Sequence, residues 1–354
     1  MSAIVNLTNT EAASVVSTGV DGKWQVTVVV KGTFVWDQAG KVSNAEPQPI
    51  VAMDEFAGEP ASSGLLRASE LGPTKPRVDV LLCGALAFPR PIAQTDVLLV
   101  VGTRLQKGAR VYGDRAWLPS TVADLAPSRP RPGTRVPVAW ERSYGGGDPQ
   151  DPKAIEARNP AGSGVAKDPK ALHGKPAPNF EDPDKPLGAM VGKPGVIGFG
   201  PIAQHWQARL ALAGTYDEKW EKSRRPLPPA DFSPLFFNVA PADQQLDSYR
   251  PGEEVRLVNM TTAGQDCFRL PDLAVPVTIV TRDELSEGIT AVDTVIIEPE
   301  ERRFSLLGKV QTALPSGPAS LGRIIVGNMP KGMRKAVEQG KKYLWPVRPR
   351  RAAV

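Results

Sequence analysis

The sequence predicts a mainly β protein: sandwich-like antiparallel sheets with long ordered loops and a few short helices. Three observations predict it. Asp21-Gly22 stands between two β-rich runs, and Asp-Gly supplies the positive φ that a tight hairpin turn requires. Between Glu254 and Leu307 five strand-like runs follow one another at short spacing, the pattern of a sandwich or barrel. The 36 prolines and 33 glycines of the 354-residue chain are scattered rather than gathered in one tract, which describes many bends between short elements instead of disorder.

In chain order, residues 1–13 read as an extended or frayed lead. Val15–Trp36 is a hairpin, and a second turn at Asp37–Lys41 continues it into a meander. Ala45–Thr74 reads as a long ordered loop held by its own salt links, with Asp54, Glu55, Glu59 and Glu70 facing Lys75 and Arg77. Arg77–Ala87 alternates into a buried strand. Thr95–Val101 and Ala109–Tyr112 are strands joined by a turn over Gly102–Gly108. Residues 148–195 hold no convincing strand, and one helical turn is expected around Lys153–Ala157. Ile202–Ala213 has helical spacing, with Trp206, Leu210 and Ala213 at i, i+4 and i+7. Tyr216–Lys222 adds a second turn of helix, which Pro226–Pro234 ends. Strands resume at Glu254–Met260, Cys267–Leu270, Val275–Thr281, Thr290–Glu298, Arg302–Leu307 and Ile324–Val326. Met329–Tyr343 forms a short amphipathic helix in a basic tail. The domain reading is one β-rich domain over residues 1–327, with a loop excursion over residues 140–250, and a basic tail over residues 328–354.

Composition narrows the function classes. No apolar run approaches the roughly 20 residues that span a bilayer. No basic segment followed by a long apolar run opens the chain, so a secretory signal is not expected. Cys83 and Cys267 stand alone, as small core residues in a reducing compartment would. With His173 and His205 they do not form the short ligand pairs of a zinc site. The net charge of +5 is modest for this length and does not by itself imply nucleic acid.

The stretch Gly198–Leu246 holds two of the seven tryptophans and alternates rings with charges. Val196–Ala203 matches a dinucleotide fingerprint by letter, but that mechanism needs a strand before it and a helix opening at its glycines. Neither is present in the pattern. Gly145-Gly146-Gly147 has no Lys-Ser/Thr after it and reads as a tight turn. Glu141, Asp148, Glu181, Asp182, Asp217, Glu218 and Asp231 lie near Trp140, Tyr144, Trp206, Tyr216 and Trp220, the materials of a carbohydrate-active hydrolase with paired carboxylates and aromatic platforms. Arg142, Arg158, Arg209 and Lys219 lie close to those acids in sequence. A salt-linked acid has a lowered pKa and is a poor proton donor, so a structural network is the preferred reading and the hydrolase the alternative.

Several long phrases occur in a fixed order: KGTF (Lys31–Phe34), AMDEFAGEP (Ala52–Pro60), KPRVDVLLCGALAFP (Lys75–Pro89), VYGDRAW (Val111–Trp117), WERSYGG (Trp140–Gly146), RNPAGSG (Arg158–Gly164), PNFEDP (Pro178–Pro183), GTYDEKW (Gly214–Trp220), LPPADF (Leu227–Phe232) and APADQQL (Ala240–Leu246). Together they resemble a bacterial domain-of-unknown-function family encoded in type VI secretion clusters, beside spike proteins and PAAR-type tip proteins. The resemblance covers about Val15 to Val326. It implies a cytoplasmic adaptor or chaperone that stabilises an effector toxin and helps load it onto the spike and tip. It implies no enzyme, and no catalytic, cofactor or metal residue is carried over. Trp206, Arg209, Tyr216, Asp217 and Trp220 are the expected partner-binding residues. The segment that holds them is expected to be a rigid, salt-linked plug bracing the sheets.

Overall fold

A computed structural model describes residues 3–121, 125–148, 151–188, 193–282 and 284–341. The fold is mainly β, with several largely antiparallel sheets and a few short helices. Its centre is the 13-residue strand Trp24–Trp36, which pairs with Glu11–Thr18 on one side and Arg303–Ala313 on the other. The sheet continues through Ala291–Glu298 and Val78–Leu82 to Gln245–Leu246, and Val42–Asn44 pairs with the end of the central strand.

The central strand is longer than either sheet that faces it, so one face serves two cores. Val26, Val28 and Val30 pack against Val277, Ile279, Ile324 and Val326 of a four-stranded sheet. Phe34 and Trp36 pack against Val97, Leu99, Val255, Leu257 and Phe268 of a five-stranded sheet. Gly32 marks the junction, where an added Cβ would stand 2.8 Å from the Leu273 side chain. Trp36, Phe268 and Phe304 stack, with centroids 4.4 Å and 4.9 Å apart along the chain of rings. The Trp36 indole N–H donates to buried Asp266 at 3.0 Å, which satisfies the one polar atom the ring brings inside.

The opposite face of the seven-stranded sheet is covered by residues 45–77 and 199–244. Lys31 pairs with Glu70 of this layer at 2.6 Å, and Lys309 pairs with Asp293 of the neighbouring strand at 3.1 Å while donating to the Pro73 carbonyl of the layer at 3.1 Å. Asp79 is fully buried. It accepts from Lys75 at 2.7 Å, from the Asn238 amide at 2.9 Å and from the Val239 backbone N–H at 2.9 Å. Sequence proximity predicts that the first loop holds itself by its own acids and bases. Instead Glu70 and Lys75 fasten it to the sheet, because a loop over a sheet face must find partners for its buried charges there.

The turns at Asp21-Gly22 and Asp37–Lys41 form as expected, with Gly22 and Gly40 at φ of 80° and 79°. Several elements differ. Leu105–Tyr112 is one strand, so the turn expected over Gly102–Gly108 is shorter and strand pairing begins at Leu105. Ala3–Asn6 is not a frayed lead but a strand parallel to Leu321–Val326, a partner more than 300 residues away. Arg77–Ala87 is two strands, Val78–Leu82 and Ala85–Ile92, broken at Gly84 where φ is 78° and the chain changes sheets. Residues 148–195 are not free of strands: Asp151–Ile155 pairs with Gly147–Asp148 where a helical turn is expected at Lys153–Ala157, and Ser163–Gly164, Pro176–Ala177 and Phe180–Glu181 pair as short strands with Tyr144–Gly145, Arg115–Pro119 and Leu105–Tyr112. Ile202–Ala213 contains only the one-turn helix Gln207–Leu210. Leu210 is 57% exposed beside buried Trp206, so the apolar stripe is not continuous. Leu285–Ile289 is a further strand that the sequence pattern leaves unmarked.

The loop excursion is ordered by side chains that satisfy backbone groups. Fully buried Asn159 donates to the Trp140 and Tyr144 carbonyls at 2.9 Å and 3.1 Å. Trp140 donates to the Pro201 carbonyl at 2.8 Å, and Arg115 pairs with buried Glu181 at 2.7 Å. The helix Lys331–Glu338 buries Met333 and pairs Arg334 with Glu287 at 2.7 Å. Of the basic tail, Lys342, Tyr343, Trp345, Arg348, Arg350 and Arg351 lie outside the described residues.

Candidate partner-binding surface

The stretch Gly198–Leu246 divides into a buried anchor and an exposed finger. In the anchor, Lys107 reaches from the five-stranded sheet and donates to the Gly198 carbonyl at 2.7 Å, to Gln244 at 2.8 Å and to Asp243 at 2.9 Å. Burial pushes the Lys107 ammonium below its ordinary value, and Asp243 opposes that. Gln244 in turn donates to the Val80 and Phe199 carbonyls at 2.7 Å and 3.0 Å, pinning the segment to the sheet. Gly198 lies against the Trp140 ring, and no helix opens at Gly198 or Gly200, so the dinucleotide-like letters form a packing contact.

Trp206 is 1% exposed and meets Trp140 edge-on at 5.5 Å. Arg209 is 9% exposed. Its Nε donates to the Phe236 carbonyl at 3.1 Å, its Nη1 donates to the Ile202 carbonyl at 2.9 Å, and its guanidinium lies 5.0 Å from the Phe236 ring centre. Burial lowers the Arg209 pKa, with Asp54 and Asp79 acting against it.

The finger begins at Gly214, where φ is 83°. Its base is closed by Asp231, which accepts from the Thr215 backbone N–H at 3.0 Å and the Thr215 hydroxyl at 2.7 Å. Those bonds hold the exposed Asp231 carboxyl below its ordinary value. Asp217 caps the helix Glu218–Ser223 by accepting from the Trp220 N–H at 2.8 Å. The Trp220 indole donates to the Leu227 carbonyl at 2.8 Å and meets Tyr216 edge-on at 4.7 Å. Arg224 reaches the Val20 carbonyl at 3.2 Å, and a Cβ on Gly22 would stand 3.0 Å from Leu227. The finger therefore leans on the first hairpin turn. Tyr216 is 58% exposed there, and Val20 and Trp24 of the hairpin are each 43% exposed.

Of the five residues expected to act together, Trp206 and Arg209 belong to the anchor, while Tyr216, Asp217 and Trp220 belong to the finger. The expected salt links also differ. Arg142 pairs with Asp114 at 3.0 Å and Arg158 with Glu156 at 2.7 Å, while Arg209 and Lys219 make no ion pair among the described residues. Of the acids considered for hydrolysis, Glu181 pairs with Arg115, Glu141 accepts the Gly64 N–H at 2.6 Å, and Asp217 and Asp231 fix the finger. Glu218 pairs with Lys222 at 2.5 Å in full view of solvent. Among the described residues no three His, Cys, Asp or Glu side chains converge as metal ligands would. No helix among them is long and apolar enough to cross a membrane. Cys83 is buried as expected, and burial pushes its thiol up to about 12, but Cys267 is exposed on the outer face of an edge strand.

Sequence reasoning misses one part of this surface. Met53, Leu71, Phe236 and Phe237 line a groove of about 410 Å³ between the two covering loops, with Arg209 and Asp54 in its wall. The run Pro234–Phe237 was its only signal, an apolar cluster in a proline-rich loop without strand or helix periodicity.

Fold and surface define a β-rich protein with an exposed tyrosine on a loop whose base is closed by hydrogen bonds. Residues 21–309 match the family described as an uncharacterized protein conserved in bacteria (DUF2169), and the chain belongs to that family. No curated protein and no solved structure matches the chain.

Proposed function

We propose that this protein is a cytoplasmic adaptor or chaperone that holds a type VI secretion effector toxin and helps load it onto the spike and its PAAR-type tip protein. The observation that supports this most directly is Tyr216. It is held out at 58% exposure on a frame closed by Asp231, capped by Asp217 and backed by Trp220. An aromatic ring left in water on a fixed frame gives up burial and has already lost its conformational freedom, so binding it costs little further ordering. Tyrosine and tryptophan are also the residues that most often dominate protein interfaces. The resemblance described above supplies the kind of partner.

Co-purification from the native gene cluster tests the reading. The wild-type chain is expected to bring down the toxin together with spike or tip protein, and Tyr216→Ala is expected to weaken that capture by about 2 kcal/mol, roughly thirtyfold. If none of the three partners is captured and toxin levels survive deletion of this protein, the proposal is wrong.

A further inference from the structure

Four buried or nearly buried cations lie in the layer over the outer face of the seven-stranded sheet. Lys31, Lys75 and Lys309 each have a carboxylate within 3.1 Å. Arg209, 9% exposed, has none. Its Nε and Nη1 are used on carbonyls, and its Nη2 has no hydrogen-bond partner among the described residues. Asp54 and Asp79 offset the burial of this guanidinium only through space, and neither makes an ion pair with it, so the free Nη2 favours an incoming carboxylate. Asp54 shares the groove but accepts the Ser69 N–H at 2.8 Å and makes no ion pair with Arg209.

The walls say what carries that anion. Phe236 and Phe237 are half-buried on one side, and Met53 stands 78% exposed on the other with Leu71 near it. Methionine's flexible, polarisable side chain suits a surface that adapts to what it binds. A small inorganic anion would leave these groups in water, whereas a polypeptide would cover them and bring its own carboxylate. Resting on the adaptor reading, we propose that this groove binds a segment of a partner protein in which an aspartate or glutamate sits between large apolar side chains. The carboxylate accepts from Arg209, and the flanking side chains cover Met53, Phe236 and Phe237.

The test uses the full chain and a phage-displayed library of random 12-residue peptides. Enriched peptides are expected to carry an acid flanked on both sides by large apolar residues, and replacing that acid by its amide is expected to weaken binding at least tenfold. Arg209 also clamps two carbonyls, so the decisive variants are at exposed Met53, where folding is not at stake. Met53→Glu is expected to weaken the selected peptide at least tenfold by repelling its acid, and Met53→Lys to retain it. Enrichment of peptides without an acid, no enrichment, or equal binding by both Met53 variants overturns the proposal. Tyr216→Ala is expected to leave peptide affinity unchanged. A failed groove is thus distinguishable from a failed adaptor reading, which depends on partner capture through the finger.

Discussion

Lys31 Nζ lies 2.6 Å from Glu70 Oε1, with side chains 4% and 3% exposed. This pair joins the central strand to the loop that covers it. Glu70 also accepts the Val51 N–H at 3.0 Å, so one carboxylate orders both the sheet's outward lysine and the loop's backbone. Glu70→Gln leaves the lysine buried beside a neutral amide and is expected to lower unfolding free energy by about 3–5 kcal/mol. The double variant Lys31→Met with Glu70→Leu is expected to recover most of that, because it removes both charges. Urea midpoints of the two variants check this. A Glu70→Gln variant as stable as wild type would show that the pair does not hold the loop.

The anchor and the finger differ in what their aromatics do. Trp206→Ala removes a ring that is 1% exposed and is expected to cost about 3–5 kcal/mol. Tyr216→Ala removes a ring that is 58% exposed and is expected to change stability by less than about 1 kcal/mol. Thermal unfolding of the two variants separates them, and equal losses would contradict the division of the segment.

Asp217 is the cap of a six-residue helix that no buried residue supports. Asp217→Ala is expected to cost about 1 kcal/mol locally. Hydrogen exchange is the measurement: the amides of Glu218–Ser223 speed up, and those of the central strand Trp24–Trp36 do not.

The Arg158 guanidinium, 2.7 Å from Glu156, holds the Glu156 carboxyl below its ordinary value of 4.5. The folded value lies below the unfolded one, so this group's stabilisation is complete above about pH 4.5 and is lost as pH falls through the folded value. Stability of Glu156→Gln measured against pH is expected to trail wild type at neutral pH and to converge with it in acid. A gap that widens below pH 4.5 would reverse the sign of the argument.

The two thiols are expected to react one at a time. Cys267 is exposed, while Cys83 is buried with its thiol pushed up to about 12. A thiol reagent at neutral pH is expected to modify Cys267 in the folded chain and Cys83 only after denaturation. Prompt modification of both would mean that the layer over Cys83 opens readily.

Much of the β architecture is legible because its signals are local. A turn needs its glycine or aspartate at a given position, as at Asp21-Gly22 and Asp37–Lys41, and a half-buried strand shows its alternation wherever it pairs. The strand Asp151–Ile155 and the strand at the N-terminus, Ala3–Asn6, are hidden because short strands acquire their state from a neighbour. The finger's helix is visible as Tyr216–Lys222, since the residues that form and cap it are adjacent in the chain. The groove is not, because Met53 and Phe237 are 184 residues apart and neither belongs to a periodic element.

By itself, then, the sequence determined the fold class, the first two turns and the longer strands. All of these depend on residues within about ten positions of one another. Only the tertiary structure decided that the central strand also pairs with Arg303–Ala313, that Glu70 answers Lys31 rather than a neighbour in its own loop, and that Arg209 makes no ion pair. The reason is physical. A buried charge takes whatever counter-charge the packed layers bring to it, and that depends on chain ends meeting across hundreds of residues.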